Sequence, residues 1–246
     1  MNRSIFIVVI FFTCLFGCKK ADNFKLEPVS DYYPLITGKY ITYNLDSLVF
    51  TNYGLTLDTV HYQIQYVVDS QIVDNLNRPG YRIIRNIRTD STQPWVTDHT
   101  AFALNTGSTI EFTEDNLKYI KLVEPIQQGF SWSGNSYIEA SSLITDVPYL
   151  NGWNYVYDSI NAPATLCNLT IDSTITVLEA NQSDGPQYHV NFANDQISDT
   201  TYSCEKYAKG IGLIYRNFFY DVYQPSYTTD PGYIGYGIIL TMIDHN

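Results

Sequence analysis

An antiparallel all-β fold is what this chain predicts, on three observations. Its clearest periodic stretch is Thr59 to Asp69, where Val60, Tyr62, Ile64, Tyr66 and Val68 alternate with His61, Gln63 and Gln65. A strand puts the first set on one dry face, whereas a helix would scatter it around the axis. The chain carries 22 tyrosines with only 16% charged residues, which suits pleated sheet with polar, uncharged outer faces. Segments of similar length recur between Gly, Pro, Asn and Asp, and no stretch longer than ten residues holds a helical period. Roughly eleven strands at this spacing form a barrel or a curved-sheet sandwich.

The elements follow in order. Pro34 and Gly38 punctuate a turn, and Lys39 to Phe50 runs on as a strand with Ile41, Tyr43 and Leu45 on one face. After the 59–69 strand come Tyr81 to Arg88, Trp95 to Leu104 and Leu117 to Val123. The second half supplies Trp153 to Ile160, Asn168 to Glu179, Tyr188 to Ala193, Ile211 to Tyr220 and Tyr233 to Ile243. The last is apolar on both faces and broken by Gly235 and Gly237, as a central strand or tight bend would be. Residues 31–246 read as one β domain. The Gly-rich stretch from Gly129 and the likeness of "GKYITYNLDSL" (38–48) to "GWNYVYDSI" (152–160) raise two related halves meeting near 129–151.

Upstream lies a different kind of segment. Arg3 precedes the twelve-residue run IFIVVIFFTCLF, too short for a bilayer span, which takes roughly 18–20 apolar residues. It reads as the apolar core of a secretory signal covering residues 1–17. Leu15-Phe16-Gly17-Cys18 resembles the lipobox of bacterial lipoproteins. That resemblance implies cleavage behind Gly17, acylation of Cys18, and residues 18–30 as anchor and polar tether. Several acyl chains, at about 0.8 kcal/mol per buried methylene, anchor stably where one does not. Lys19 in place of Asp after the cysteine resembles lipoproteins sorted to the outer membrane. The basic "KKAD" favours the periplasmic face, with the cell surface as the alternative.

Composition narrows the partners. Cleavage would remove one of 14 basic side chains and none of the 25 acidic ones, leaving a net charge of −12. Nucleic acid demands the opposite sign. Cys167 and Cys204 could pair in an oxidising compartment, for roughly 4 kcal/mol of loop-closure stabilisation. His61, His99, His189 and His245 share no metal-ligand spacing, and no cofactor is expected. Ser203-Cys-Glu-Lys206 has serine-hydrolase S-x-x-K spacing but sits in strand-like sequence, without the helix start that chemistry needs. Gly210-Ile-Gly212 lacks the third glycine of a dinucleotide loop. Glu179 to Gly185 (EANQSDG) reads as a hairpin turn more readily than as a calcium loop.

Two patterns remain. Asp followed by Ser or Thr and then a small or apolar residue or Thr occurs six times, which resembles the O-glycosylation sequon of some Gram-negative bacteria. The acceptors would be Ser47, Thr59, Ser91, Ser159, Ser173 and Thr200. Trp132, Trp153, Tyr155 and Tyr157 lie near glycines, where aromatic rings could stack on a ligand or simply pack a core.

"DYYPLITGKYITYNLDSL" and "EKYAKGIGLIYRNF" resemble the opening and the late strand pair of small Gram-negative envelope lipoproteins of unassigned function. The resemblance implies an all-β lipoprotein and lends no activity. The expected function is a non-enzymatic, lipid-anchored envelope protein binding a small molecule, a glycan or another envelope component. The alternatives are a carrier whose apolar cavity takes lipid or lipoprotein acyl chains and, last, an envelope hydrolase.

Overall fold

The computed structural model describes residues 27–142, 144–167, 169–184, 198–225 and 231–246. Cys18 and the expected tether up to residue 26, and the expected strand from Tyr188 to Ala193, lie outside them. Twelve strands form one antiparallel sheet, nearly closed into a barrel. They are β1 (Tyr40–Thr51), β2 (Thr56–Val73), β3 (Pro79–Arg88), β4 (Val96–Asn105), β5 (Thr109–Glu114), β6 (Leu117–Val123), β7 (Ser131–Trp132), β8 (Tyr155–Leu166), β9 (Leu169–Asp184), β10 (Ser198–Ala208), β11 (Gly212–Gln224) and β12 (Gly232–His245).

The spatial order is β6-β5-β4-β3-β2-β1-β12-β11-β10-β9-β8-β7. Two meanders of six strands therefore join where the first strand pairs with the last, from Ile41 opposite His245 to Val49 opposite Tyr236. The sheet runs unbroken through this junction, and the chain passes from one meander to the other through residues 124–130.

Local chemistry sets much of this. Asp115 and Asn116 both take positive φ (52° and 62°) in the two-residue turn between β5 and β6. That is the type I′ geometry whose twist matches a hairpin, and Asp and Asn tolerate it. The alternation in β2 holds around its middle, while Val60, expected on the dry face, is exposed. Ile64 and Val68 face the interior, buried, while His61 and Gln63 lie outside opposite Asp46 and Asn44.

Closure happens between β6 and the segment of β7 and β8, by scattered bonds rather than a full ladder. The Ile120 amide donates to the Gly134 carbonyl at 2.6 Å. The Trp132 indole donates to the Ile120 carbonyl at 2.8 Å. The Tyr157 hydroxyl accepts from the Val123 amide at 3.0 Å and donates to its carbonyl at 2.8 Å. Gly134 is required here, since a Cβ would stand 2.4 Å from the Tyr155 ring.

One helical turn, α1 (Val29–Tyr32), begins inside the stretch expected to be tether (18–30) and packs against β5 and β11. Val29 and Tyr32 are fully buried. The Val29 amide donates to Glu124, and the Asp31 carbonyl accepts from Gly210. Beyond this turn Tyr33 packs its ring against Phe112 and Tyr207. The start of the domain thus stoppers the barrel end at which β1 begins.

Three expectations change. Cys167 and Cys204 are free thiols, one exposed in the β8–β9 turn and one buried in β10. Cys204 sits opposite Leu178, nine residues along β9 from Leu169, which opens that strand at the turn. At roughly 3.3 Å per strand residue that is about 30 Å, and a disulfide needs α-carbons within about 7 Å. The stretch from Glu179 to Asp184 continues β9 instead of turning. Finally, β5, β7 and much of β10 were not expected from the period alone.

Candidate functional site: a charged cavity inside the barrel

Side chains do not fill the barrel. A cavity of about 310 Å³ lies between the α1 end and the middle strands, at the small end of the roughly 300–1,000 Å³ that ligand clefts occupy. Its walls divide by chemistry. Leu45 from β1, Ile64 from β2 and Ile238 and Leu240 from β12 make one apolar side. Charged groups from five strands share the lining: Arg85, Glu114, Lys121, Glu205 and Arg216. Tyr33, Tyr43, Tyr66, Tyr119, Tyr149, Tyr207 and Tyr236 are among the other lining residues.

The pleat explains why these charges point inward. Arg216 lies opposite both Leu240 and Glu205 in the sheet, so all three share a face. Glu205 in turn lies opposite Val177 of β9. Burying charge is costly unless it is paired, and most of these groups are. Lys121 Nζ donates to Glu179 at 3.0 Å and to Glu205 at 2.8 Å, with all three side chains at most 8% exposed. Ser203 donates to the other Glu179 oxygen at 2.6 Å, and the Tyr207 hydroxyl donates to Glu205. Across the cavity Arg85 holds Asp98 through two bonds of 3.1 and 2.8 Å. The Tyr66 hydroxyl donates to Glu114 at 3.0 Å.

The two buried carboxylates behave differently. Burial raises the Glu179 pKa, and the neighbouring Glu205 charge adds to that, outweighing Lys121 and Arg216. Burial pushes Glu205 the same way, but Lys121 and Arg216 more than offset it, so its pKa is lowered. Lys121 stays ionised, because the two carboxylates outweigh its own desolvation.

Arg216 is the exception to the pairing. Its charge contact is with Glu205 at 3.6 Å, and its Nε has no hydrogen-bond partner. It borders both the main cavity and an adjoining recess of about 40 Å³, lined also by Lys121, Trp153, Tyr155 and Glu179. The hydroxyl of Tyr155, a fully buried ring, also lacks a partner.

The residues singled out from sequence fare unevenly. Trp132, Trp153, Tyr155 and Tyr157 do come together, with ring centroids 4.8 Å apart for Trp132–Tyr157 and 5.8 Å for Trp132–Tyr155. They pack on one another beside the closure seam, and Trp153, Tyr155 and Tyr157 are almost wholly buried. None lines the main cavity, so they are core rather than a stacking surface; Trp153 and Tyr155 border only the recess. Of the glycan acceptors, Thr200 is buried in β10 and Ser47 lines the cavity, so neither offers a hydroxyl outward. Ser159 is half-buried in β8, whereas Thr59, Ser91 and Ser173 are exposed. Among the described residues, no group of three or more His, Cys, Asp or Glu could hold a metal ion.

The charged wall itself had a faint signature. Lys121, Glu179, Glu205 and Arg216 each fall in register with apolar residues: Tyr119, Val177, Tyr207 and Phe218 stand two positions away. A charge on a dry face is a signal, but a single strand cannot say that four such positions meet.

Fold and site together define a class, an antiparallel β-barrel with a mixed polar and apolar interior cavity. No family model matches the chain, and comparisons with curated proteins and with solved structures give no match.

Proposed function

We propose that this protein is a non-enzymatic binding barrel that takes a small, partly apolar molecule into its interior, and that Cys18 tethers it to the periplasmic face of the outer membrane. The observation that carries this reading is the unfilled cavity of about 310 Å³ with apolar and charged sides. Interiors normally pack to about 0.75 density, so open space lined by oriented polar groups calls for an occupant. The same wall argues against a carrier of plain acyl chains, because Lys121, Glu205 and Arg216 interrupt the apolar surface that such a chain would cover. A hydrolase is disfavoured because the ionised groups mostly neutralise one another, and Ser203, which donates to Glu179, is fully buried and lines neither the cavity nor the recess.

Native mass spectrometry of the full chain purified from its own membrane tests both parts. The expected spectrum has the mass of an acylated Cys18 N-terminus and a retained small molecule that leaves on activation. A chain without acyl groups refutes the anchor. An empty chain that also fails to take up the neutral probe N-phenyl-1-naphthylamine refutes the binding role.

A further inference from the structure

We infer that the cavity's ligand carries a single anionic head, a carboxylate, which enters the recess between Arg216 and Tyr155 while its apolar body lies against Ile64, Ile238 and Leu240. The inference rests on the binding reading above and names the ligand's chemical class.

Two orphaned donors carry it. Tyr155 Oη and Arg216 Nε are both buried, both without a hydrogen-bond partner, and both belong to residues lining the same recess. Leaving such a group unpaired in the interior costs about 1–3 kcal/mol; Nε faces Glu205 at 3.6 Å without bonding it, and with the Tyr155 hydroxyl beside the same recess this marks a place for an acceptor. A hydroxyl and a guanidinium N–H can both donate, and an oxygen with several lone pairs accepts from both. The recess, at about 40 Å³, has room for such a group and opens beside the main cavity.

Charge selects the acceptor. Lys121 serves two carboxylates at once, Glu179 at 3.0 Å and Glu205 at 2.8 Å. Two buried carboxylates on one ammonium repel, and one takes a proton far more readily than it would alone. Glu179 fits that role: it is enclosed by Lys121 and Tyr119 of β6, Tyr155 of β8, Ser203 and Glu205 of β10 and Arg216 of β11. A proton on Glu179 would leave Glu205, with Glu114 on the Arg216 side, against the two cations Lys121 and Arg216. Arg216 meets Glu205 through Nε at 3.6 Å, beyond hydrogen-bond distance, so that contact gives it no hydrogen-bonded counter-ion. An entering carboxylate supplies one, with charge-assisted bonds roughly twice as strong as neutral ones.

The test compares 4-phenylbutanoate with 4-phenylbutanol on the full chain in lipid nanodiscs, by calorimetry against empty discs, with N-phenyl-1-naphthylamine as the neutral probe. The acid is expected to bind about 10- to 100-fold more tightly than the alcohol. Tyr155→Phe keeps the ring packing and removes only the unpaired hydroxyl, so it folds, and it is expected to narrow the acid-to-alcohol ratio several-fold. Arg216→Met abolishes the preference while still taking up the neutral probe. Equal affinity for acid and alcohol overturns the anionic head, as does a ratio that Tyr155→Phe leaves unchanged; neutral-probe uptake would still support the cavity. Failure of all three compounds to bind overturns both readings.

Discussion

Replacing Lys121 by methionine should destabilise the barrel strongly, and by an amount that depends on pH. The side chain is 8% exposed and bridges Glu179 and Glu205 at 3.0 and 2.8 Å. Methionine conserves most of the apolar stem but leaves two buried carboxylates with Arg216 as their nearest charge, 3.6 Å from Glu205. Removing one partner of a buried pair costs about 3–5 kcal/mol. At roughly 2–4 °C per kcal/mol for a domain this size, Tm falls by about 6–20 °C at pH 7. In the wild type Glu205 is held below its ordinary pKa. The stability it contributes is present above about pH 4.3, its unfolded value, and fades as pH falls through the folded one. In the variant both carboxylates rise above that value, so the folded form gains on acidification through proton uptake. The variant's proton uptake narrows the gap between the proteins as pH drops from 7 toward 4.5, and the fading Glu205 contribution adds to it only below about pH 4.3. Thermal and urea unfolding across that range measure it, and adding Glu179→Gln to the variant should recover part of the loss. A loss under about 1 kcal/mol at pH 7, or a gap indifferent to pH, refutes the view of this cluster as an ionised network.

The closure seam, the thiols and the acceptor hydroxyls give further expectations. Tyr157→Phe removes both bonds to the Val123 backbone and should cost about 1–3 kcal/mol; hydrogen exchange should quicken at Val123 before it does at the β1–β12 junction, and uniform quickening would deny the seam its separate weakness. Maleimide followed by peptide mapping should label the exposed Cys167 in the native state. It should spare Cys204, whose thiol burial pushes up to about 11, until the chain unfolds. Reductant should leave Tm unchanged, and a reductant-sensitive Tm would bring back the disulfide. If glycans are present, glycopeptide analysis should place them on Thr59, Ser91 or Ser173; one on Thr200 would contradict its burial in β10.

The sequence by itself determined the fold class and most strand positions, because a half-buried strand writes its two faces in alternate residues. β2 is the clearest instance: Ile64 and Val68 turn inward and His61 and Gln63 outward, as their alternation requires. β10 was harder to read, since Ser203 and Glu205 occupy interior positions that a two-letter pattern of apolar and polar residues assigns to solvent. β5 is only six residues long and β7 only two, too short to declare a period.

What only the tertiary structure decided is the meeting of distant strands. Lys121 stands 58 residues from Glu179 and 84 from Glu205, and nothing local reports that separation closing. Pairing of β1 with β12 bends the two meanders toward each other and carries β6 round to face β9 and β10. Curvature and closure belong to the whole sheet, so a cavity, its ring of charge and its orphaned donors exist only once every strand is in register.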